Sequence, residues 1–191
     1  VKASTNETGR KPNPVEHSWF WKSTRSELSC DYSRRNFYSK HTLRIDYESG
    51  TTPDHVYFSE GDHFGYDNHC SLRDGLGFEI YIDDIDSLDT NYGYFYFGGY
   101  DPTQAENSVV HSWNLATLSG VLDSGWNRLF LPFIRSDKVE WTPAPAGERD
   151  PRILYDLRVG KIGFVIRGTG KPLSMSIDGF LIERCYFTDY C

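Results

Sequence analysis

The residues best suited to chemistry in this chain are aromatic and acidic side chains that alternate with apolar ones along two short stretches. The stretches are GFEIYID, residues 77–83, and YGYFYFG, residues 92–98. Successive side chains of a β-strand point to opposite faces, so each stretch predicts one face in a core and one face toward solvent. The predicted outward positions hold Glu79, Tyr81, Tyr94 and Tyr96.

This combination of side chains is suited to binding sugars. The C–H groups of a sugar ring can lie on an aromatic face, while a carboxylate accepts protons from sugar hydroxyls. If the two stretches pair, all four side chains lie together on one outer surface. Arg167, outward on a late strand by the same alternation, would donate to a hydroxyl or to an acidic sugar. The alternative is that cross-strand tyrosine pairs only stabilise the sheet.

Two further aromatic residues are candidates because of their predicted positions in loops. Tyr100 stands at the mouth of a loop, and Trp141 lies among prolines in residues 135–152, the longest stretch without a strand pattern. An exposed tryptophan is costly unless it contacts a ligand or partner. We therefore include both residues in the predicted binding site, with the alternative that Trp141 packs back beneath its own loop.

The composition indicates one aromatic-rich globular unit and excludes several classes of protein. The 191 residues include 13 Tyr, 12 Phe and 5 Trp, and mean hydropathy is −0.55. No apolar run approaches the ~20 residues of a membrane-spanning helix. Net charge is −7 and no basic stripe is present, so we expect neither a membrane span nor a nucleic-acid partner.

Short alternating segments separated by Gly, Pro, Asn and Asp predict an all-β fold. Residues 1–15 are predicted to be a flexible lead-in, and residues 16–191 a single domain. Eight to ten strands at intervals of ~10–15 residues favour a two-sheet antiparallel β-sandwich with jelly-roll topology. Pro132, within an apolar run, predicts an edge strand or a bulge because proline cannot donate to a β-ladder.

The four cysteines, Cys30, Cys70, Cys185 and Cys191, favour disulfides over a metal site. None belongs to a C-x-x-C motif, which argues against structural zinc. An even number in a β-rich chain predicts an oxidising compartment, and so an extracellular or cell-surface protein. Three pairings are possible, of which we favour Cys30 with Cys70 and Cys185 with Cys191.

Two segments resemble the non-catalytic jelly-roll modules attached to secreted polysaccharide-degrading enzymes. They are WNLATLSGVLDSGWNRLFLPF, residues 113–133, and SIDGFLIER, residues 176–184. The resemblance covers about the last two-thirds of the chain and implies a lectin-like, non-catalytic domain that binds a polysaccharide or glycan. Asp178 matches a position that often helps to hold structural calcium in such modules, together with early residues such as Glu27 or Asp31. The alternative is a hydrogen-bonded aspartate at a strand end, and we expect no other cofactor.

Two other functions compete with this interpretation. Residues 25–28 (RSEL) and 94–100 (YFYFGGY) are similar to two motifs of jelly-roll alginate lyases. That similarity would make Arg25 the group that neutralises a uronate and Tyr100 the acid and base. However, Ser29 replaces the second arginine of the first motif, Tyr96 replaces a lysine, and a central Gln-x-His is missing. Binding without catalysis is therefore the preferred prediction, with a lyase or a protein-recognition domain as alternatives.

Overall fold

The computed structural model describes residues 21–33, 42–58, 74–101, 104–142 and 158–184, and this part of the chain is almost entirely β-structure. The strands are β1 (Trp21–Ser23), β2 (Glu27–Asp31), β3 (Thr42–Tyr47), β4 (Asp54–Phe58), β5 (Asp74–Ile82), β6 (Tyr94–Asp101), β7 (Gln104–Asn114), β8 (Gly125–Pro132), β9 (Lys138–Thr142), β10 (Arg158–Ile166) and β11 (Leu173–Arg184). One helical turn, α1 (Leu115–Leu118), follows β7. None of the helices described is long and apolar enough to cross a membrane.

The strands form two antiparallel sheets. Sheet A has the order β1-β4-β10-β6-β7-β9, and sheet B has the order β2-β3-β11-β5-β8. The chain passes from one sheet to the other at β1–β2, β3–β4, β4–β5, β5–β6, β7–β8, β8–β9 and β10–β11. Strands β3-β11-β5-β8 therefore face β4-β10-β6-β7, which is the strand order of a jelly roll. The predicted all-β, two-sheet antiparallel sandwich is confirmed.

The core between the sheets is built from alternate residues of the central strands. Leu43 and Ile45 of β3 are completely buried, as their alternation with polar residues predicts. Phe78 of β5 contacts Phe95 of β6 across the core, with ring centroids 5.0 Å apart. Burying a side chain of this size contributes roughly 1.5–3 kcal/mol relative to leaving it in water.

Residues 77–83 and 92–98 do not pair, so the condition for one shared surface of all four side chains is not met. Strand β5 lies between β11 and β8 in sheet B, whereas β6 lies between β10 and β7 in sheet A. The link between them crosses the end of the sandwich, where Leu88 forms a β-bridge with Gly168. Both strands direct their apolar faces into the same core from opposite sides, so their outward residues lie on opposite surfaces.

The structure differs from the sequence-based expectation at strand β9 and at helix α1, and it agrees with the expectation at Pro132. Trp141 belongs to β9, where its backbone pairs with Val109 of β7, so the segment 135–152 is not structureless throughout. Helix α1 was not predicted, because a single turn of four residues is too short to show helical periodicity. Pro132 is the last residue of β8, an edge strand of sheet B, as predicted.

A buried carboxylate holds the crossing from β1 in sheet A to β2 in sheet B. Asp54, at the start of β4, accepts hydrogen bonds from the hydroxyls of Ser23 (2.8 Å), Thr24 (2.7 Å) and Ser26 (2.5 Å) and from the Arg25 amide (2.9 Å). Burial alone would raise the pKa of Asp54, but the hydrogen bonds from these serine and threonine side chains outweigh it and lower the pKa.

Candidate functional site

The outer face of sheet A carries an open groove of about 410 Å³, which we call the sheet A groove. It crosses the strands from β4 to β9, and its lining is mainly aromatic and uncharged. The lining residues are His55, Tyr57, Phe58, Tyr94, Tyr96, Val110, Ser112, Glu140 and Ile162. Two of the predicted site residues, Tyr94 and Tyr96, therefore line one concave surface.

Glycines at outward positions of the central strands create the depression. Gly163 of β10 stands between Tyr57 of β4 and Tyr96 of β6 in the cross-strand register. A Cβ atom at position 163 would lie 2.3 Å from the Tyr96 hydroxyl oxygen and 2.7 Å from the Val56 carbonyl oxygen. Because no side chain fills this position, the Tyr96 ring extends over the β10 backbone. Gly98 occupies the next outward position of β6.

The aromatic side chains of the groove form a connected cluster. His55 Nε2 lies 2.7 Å from the hydroxyl oxygen of Tyr96, a hydrogen bond that joins β4 to β6 across β10. The His55 ring also stacks on Tyr57, with centroids 4.6 Å apart and an interplanar angle of 29°. The ring centroids of Tyr94 and Tyr96 are 6.2 Å apart, and the Tyr94 side chain is 39% exposed. The cluster therefore holds Tyr96 in place and leaves Tyr94 accessible.

Burial keeps the polar atoms of the cluster uncharged at neutral pH. It raises the pKa of the Tyr96 phenol far above the ordinary value, with further contributions from Tyr94 and Tyr57. Burial also lowers the pKa of His55, against the opposing effect of the Asp54 charge. The hydrogen bond between them thus joins a neutral phenol and a neutral imidazole, and its direction depends on the imidazole tautomer.

The formal charges of the groove lie at its β9 end. Glu140 stands opposite Val110 on β7, and its carboxylate is 2.6 Å from Lys138 Nζ. The hydrogen bond to Glu140 raises the pKa of Lys138, so the ammonium group of Lys138 stays protonated at neutral pH. Among the described residues that line the groove, Glu140 is the one with a formal charge. The groove thus offers aromatic faces, hydroxyls and one carboxylate.

The other two residues of the predicted tyrosine and carboxylate surface lie on the opposite side of the molecule. Glu79 and Tyr81 of β5 are outward on sheet B, opposite Arg128 and Trp126 of β8. Tyr81 contacts Trp126 edge to face, with centroids 5.5 Å apart. Trp126 is 39% exposed and was not among the predicted site residues. Its alternation with the buried residues Asn127 and Leu129 is the signal that could have placed it outside the core.

Asp178 is completely buried on β11 and pairs in register with Glu79 of β5. Asp31 of β2 is in register with Thr42 of β3, and so lies two strands from Asp178, about 10 Å at ordinary strand spacing. Calcium takes six to eight oxygen ligands at about 2.3–2.6 Å. Within the described ranges no group of three or more His, Cys, Asp or Glu side chains could hold a metal ion. These residues alone do not supply a calcium site, and calcium at Asp178 stays a prediction.

Arg167 is outward, as predicted, but it lies beyond the end of β10 and away from the groove. Its Nε and Nη2 donate to Asp89 Oδ2 at 2.9 Å and 2.5 Å. Its guanidinium carbon also lies 4.1 Å from the centroid of the Tyr92 ring. These contacts fasten the crossing between β5 and β6, so Arg167 has a structural role in this fold.

Three groups of residues for which predictions were made lie partly or wholly outside the residues that the structure describes. The backbones of Tyr100 and Trp141 lie in β6 and β9 of sheet A, but their side chains are outside the described part of the structure. Cys30 lies half-buried in β2, while the other three cysteines are outside the described residues. The disulfide pairing, the lead-in at residues 1–15 and the ligand contacts of Tyr100 and Trp141 stay predictions.

The two residues of the lyase interpretation lie at opposite ends of the sandwich. The Arg25 amide donates to Asp54, which pairs with Ile166 beside the Tyr94 end of β6. Tyr100 is six residues further along β6, or about 20 Å at the usual rise per residue. A uronate-neutralising arginine and an acid–base tyrosine must contact the same sugar residue, and this backbone arrangement does not bring them together.

Comparison with known proteins finds similarity in structure but none in sequence. No protein-family model matches the sequence, and no curated protein is significantly similar to it. A structure from the β-sandwich superfamily of carbohydrate-binding modules is 11% identical, with a TM-score of 0.49 over 88% of this chain. A family 11 carbohydrate-binding module from Clostridium thermocellum, in complex with a β-1,3-1,4-mixed-linked tetrasaccharide, is 14% identical, with a TM-score of 0.48 over 90% of this chain and 92% of its own.

Part of a larger enzyme has a similar fold. A β-1,2-glucanase from Parabacteroides distasonis is 12% identical, with a TM-score of 0.51 over 90% of this chain but 25% of the enzyme. The chain likewise spans 59% of the superfamily structure named above. At these identities the similarity concerns the fold. The chain is a jelly-roll β-sandwich similar in architecture to carbohydrate-binding modules.

Proposed function

We propose that the protein binds a polysaccharide or glycan in the sheet A groove. The observation that carries this proposal is the outward cluster of His55, Tyr57, Tyr94 and Tyr96, which lines the groove on either side of Gly163 in the strand register. Flat aromatic faces beside hydroxyls match the two kinds of surface that a sugar ring presents. The architecture shared with carbohydrate-binding modules supports the same function.

The groove would bind a sugar through two kinds of contact. The exposed ring of Tyr94 offers a face for the C–H groups of a sugar, and Tyr57 extends this aromatic surface on β4. Ser112 and Glu140 supply oxygens for sugar hydroxyls at the other end. An open, solvent-accessible groove buries only part of its ligand, so we expect a dissociation constant of roughly 1 μM to 1 mM, which corresponds to about −8 to −4 kcal/mol.

We propose binding without catalysis, by a protein that acts outside the cell or at its surface. Most glycoside hydrolases use a pair of carboxylates on either side of the scissile bond. Glu140 is the one carboxylate among the described lining residues of the groove. The four cysteines and the secreted enzymes that carry similar modules support the extracellular location.

The test is a glycan array followed by isothermal titration calorimetry with matched variants. Tyr94→Ala should weaken binding of the best glycan at least tenfold, because it removes the exposed stacking face of the groove. Trp126→Ala is the control, since Trp126 is equally exposed at 39% but lies on sheet B. Absence of binding to any glycan would overturn the proposed function. Loss of binding in Trp126→Ala with retention in Tyr94→Ala would overturn the proposed site.

A further inference from the structure

One row of outward positions crosses all six strands of sheet A. Each member of the row is the cross-strand partner of the next: Lys22, Tyr57, Gly163, Tyr96, Ser112 and Lys138. At ordinary strand spacing the row is about 24 Å long. Its middle is the sheet A groove, and a lysine stands at each end. A chain-like ligand that lies along the row therefore meets a cationic residue beyond the aromatic cluster, on β1.

The two lysines of the row differ in their ion pairing. Lys138 Nζ lies 2.6 Å from the Glu140 carboxylate, so the β9 end has a cation that is already matched by an anion. Lys22 is exposed, and within the described ranges it forms no salt bridge. The β1 end of the row therefore has a positive charge that no described carboxylate compensates by direct contact.

The overall charge of −7 does not cancel the Lys22 charge locally. Glu27, Asp46 and Glu79 stand at outward positions of sheet B, on the far side of the core. Packed sheets lie about 10 Å apart, and the screening length at physiological ionic strength is about 8 Å, so these charges are largely screened at β1. Asp54, on β4 beside β1, is completely buried, and the hydroxyls and amides of residues 23–26 bind its carboxylate.

We infer that the ligand of the sheet A groove extends across β1 and that Lys22 binds an acidic group of the glycan there, a carboxylate or a sulfate. This inference rests on the proposed carbohydrate-binding function and names the class of ligand. A lysine ammonium group donates hydrogen bonds to either anion and acts as a point charge. Opposite unit charges about 5 Å apart in water-like surroundings raise an affinity about fourfold, and physiological salt reduces this to about twofold.

The test compares neutral oligosaccharides with the same chains carrying acidic groups. β-Glucan and β-mannan oligosaccharides are titrated into the protein in three forms: unmodified, oxidised to carboxylates at their primary hydroxyls, and sulfated at the same positions. The wild-type protein should bind an acidic form about two- to fourfold more tightly than the neutral one, and a gain for one form alone identifies the anion. Lys22→Gln should remove the gain and leave the affinity for the neutral form within twofold. High salt should reduce the gain, because exposed charges are screened.

A matched control separates Lys22 from the overall charge. Lys171→Gln removes an exposed cation between β10 and β11 and changes the net charge by the same amount as Lys22→Gln. The inference is overturned, while the proposed function survives, if the wild-type protein binds no acidic form more tightly than the neutral one. The same conclusion follows if the gain persists in Lys22→Gln, or if Lys171→Gln removes it equally. If the wild-type protein binds neither neutral nor acidic glycans, both proposals are overturned.

Discussion

In both sheets, side chains alternate between the core and the outer face. The outer faces differ in the types of residue that the central strands place there. On sheet A, the outward positions of the central strands hold Tyr94, Tyr96, Gly98 and Gly163, which leave an uncharged hollow. On sheet B, the outward positions hold many charged residues, among them Glu27, Arg44, Asp46, Glu79 and Arg128. Alternation alone separates core from surface in both sheets, and the outward residue types then decide what each surface can bind.

The aromatic residues of sheet B show why exposure alone does not define a site. Tyr81 and Trp126 contact each other on a surface with charged neighbours such as Asp83 and Arg128. Tyr57 and Tyr96 instead flank a glycine, Gly163, in the interior of sheet A, and Tyr94 lies beside Tyr96. The concavity comes from the missing side chain, so the same aromatic composition gives a groove on one face and an exposed pair on the other.

The largest expected effect is on stability, and it comes from Asp54, which holds the crossing between the two sheets. Asp54→Ala removes the carboxylate that accepts the hydrogen bonds of the crossing from sheet A to sheet B. The hydroxyl and amide donors of residues 23–26 then lose their acceptor. We expect a loss of about 3 kcal/mol or more in the free energy of unfolding, measured by urea denaturation. The exposed control Asp83→Asn should change it by less than about 0.5 kcal/mol. A loss below ~1 kcal/mol for Asp54→Ala would show that this crossing is not anchored by its carboxylate.

The same carboxylate predicts how stability depends on pH. The pKa of Asp54 is lower in the folded protein than its ordinary value of 3.8, so the folded state binds the proton less readily than the unfolded state. Its stabilising contribution is therefore fully present above about pH 5 and is lost as pH falls through the folded pKa. Urea denaturation between pH 3 and pH 6 should show a steeper loss for the wild type than for Asp54→Asn, and parallel curves would contradict this.

A side chain at position 163 should fill the sheet A groove and remove its capacity to bind a glycan. Gly163→Ala places a Cβ atom 2.3 Å from the Tyr96 hydroxyl and 2.7 Å from the Val56 carbonyl oxygen. Tyr96 must move, so we expect glycan affinity to fall at least tenfold in calorimetry and stability to fall by roughly 1–3 kcal/mol. Gly120→Ala is the control, because nothing lies within 4 Å of a Cβ atom there. Unchanged affinity in Gly163→Ala would show that the ligand does not use this part of the groove.

Removing one tyrosine hydroxyl from each sheet tests whether glycan binding is confined to sheet A. Tyr96→Phe keeps the ring but breaks the 2.7 Å hydrogen bond to His55, and should weaken glycan binding about three- to tenfold. Tyr81→Phe makes the matched change on sheet B and should leave the affinity within twofold. Equal losses in both variants would mean that glycan binding is not confined to sheet A.

The smallest expected effect is the pH dependence of the groove. Burial lowers the pKa of His55 below 6.5, so the ring is neutral at pH 7 and takes up a proton only on acidification. A protonated ring can donate but not accept, so any hydrogen bond that it accepts from Tyr96 is lost. Glycan affinity should fall about two- to threefold from pH 7 to pH 5, and His55→Gln should flatten this profile. A wild-type profile as flat as that of the variant would exclude His55 as the titrating group.

Much of the fold and half of the tyrosine surface were predictable from alternation. The inward positions of β3 and β5 and the split between Tyr94 and Phe95 follow from period-two patterns over six or more residues. His55 and Tyr57 were missed because β4 spans five residues and carries no motif. The groove also depends on Gly163, whose role is invisible until its two neighbouring strands are known.

Residue order alone determined most of the strands, their inward and outward faces and the two-sheet class, because side-chain alternation and hydrophobic burial are local properties of an extended chain. Only the tertiary structure decided that Glu79 and Tyr81 face away from Tyr94 and Tyr96. Strand neighbours are selected by closing long loops and filling one shared core, and these terms depend on the whole chain rather than on any short stretch. A hollow made by glycines of different strands therefore becomes visible only when the sheet is assembled.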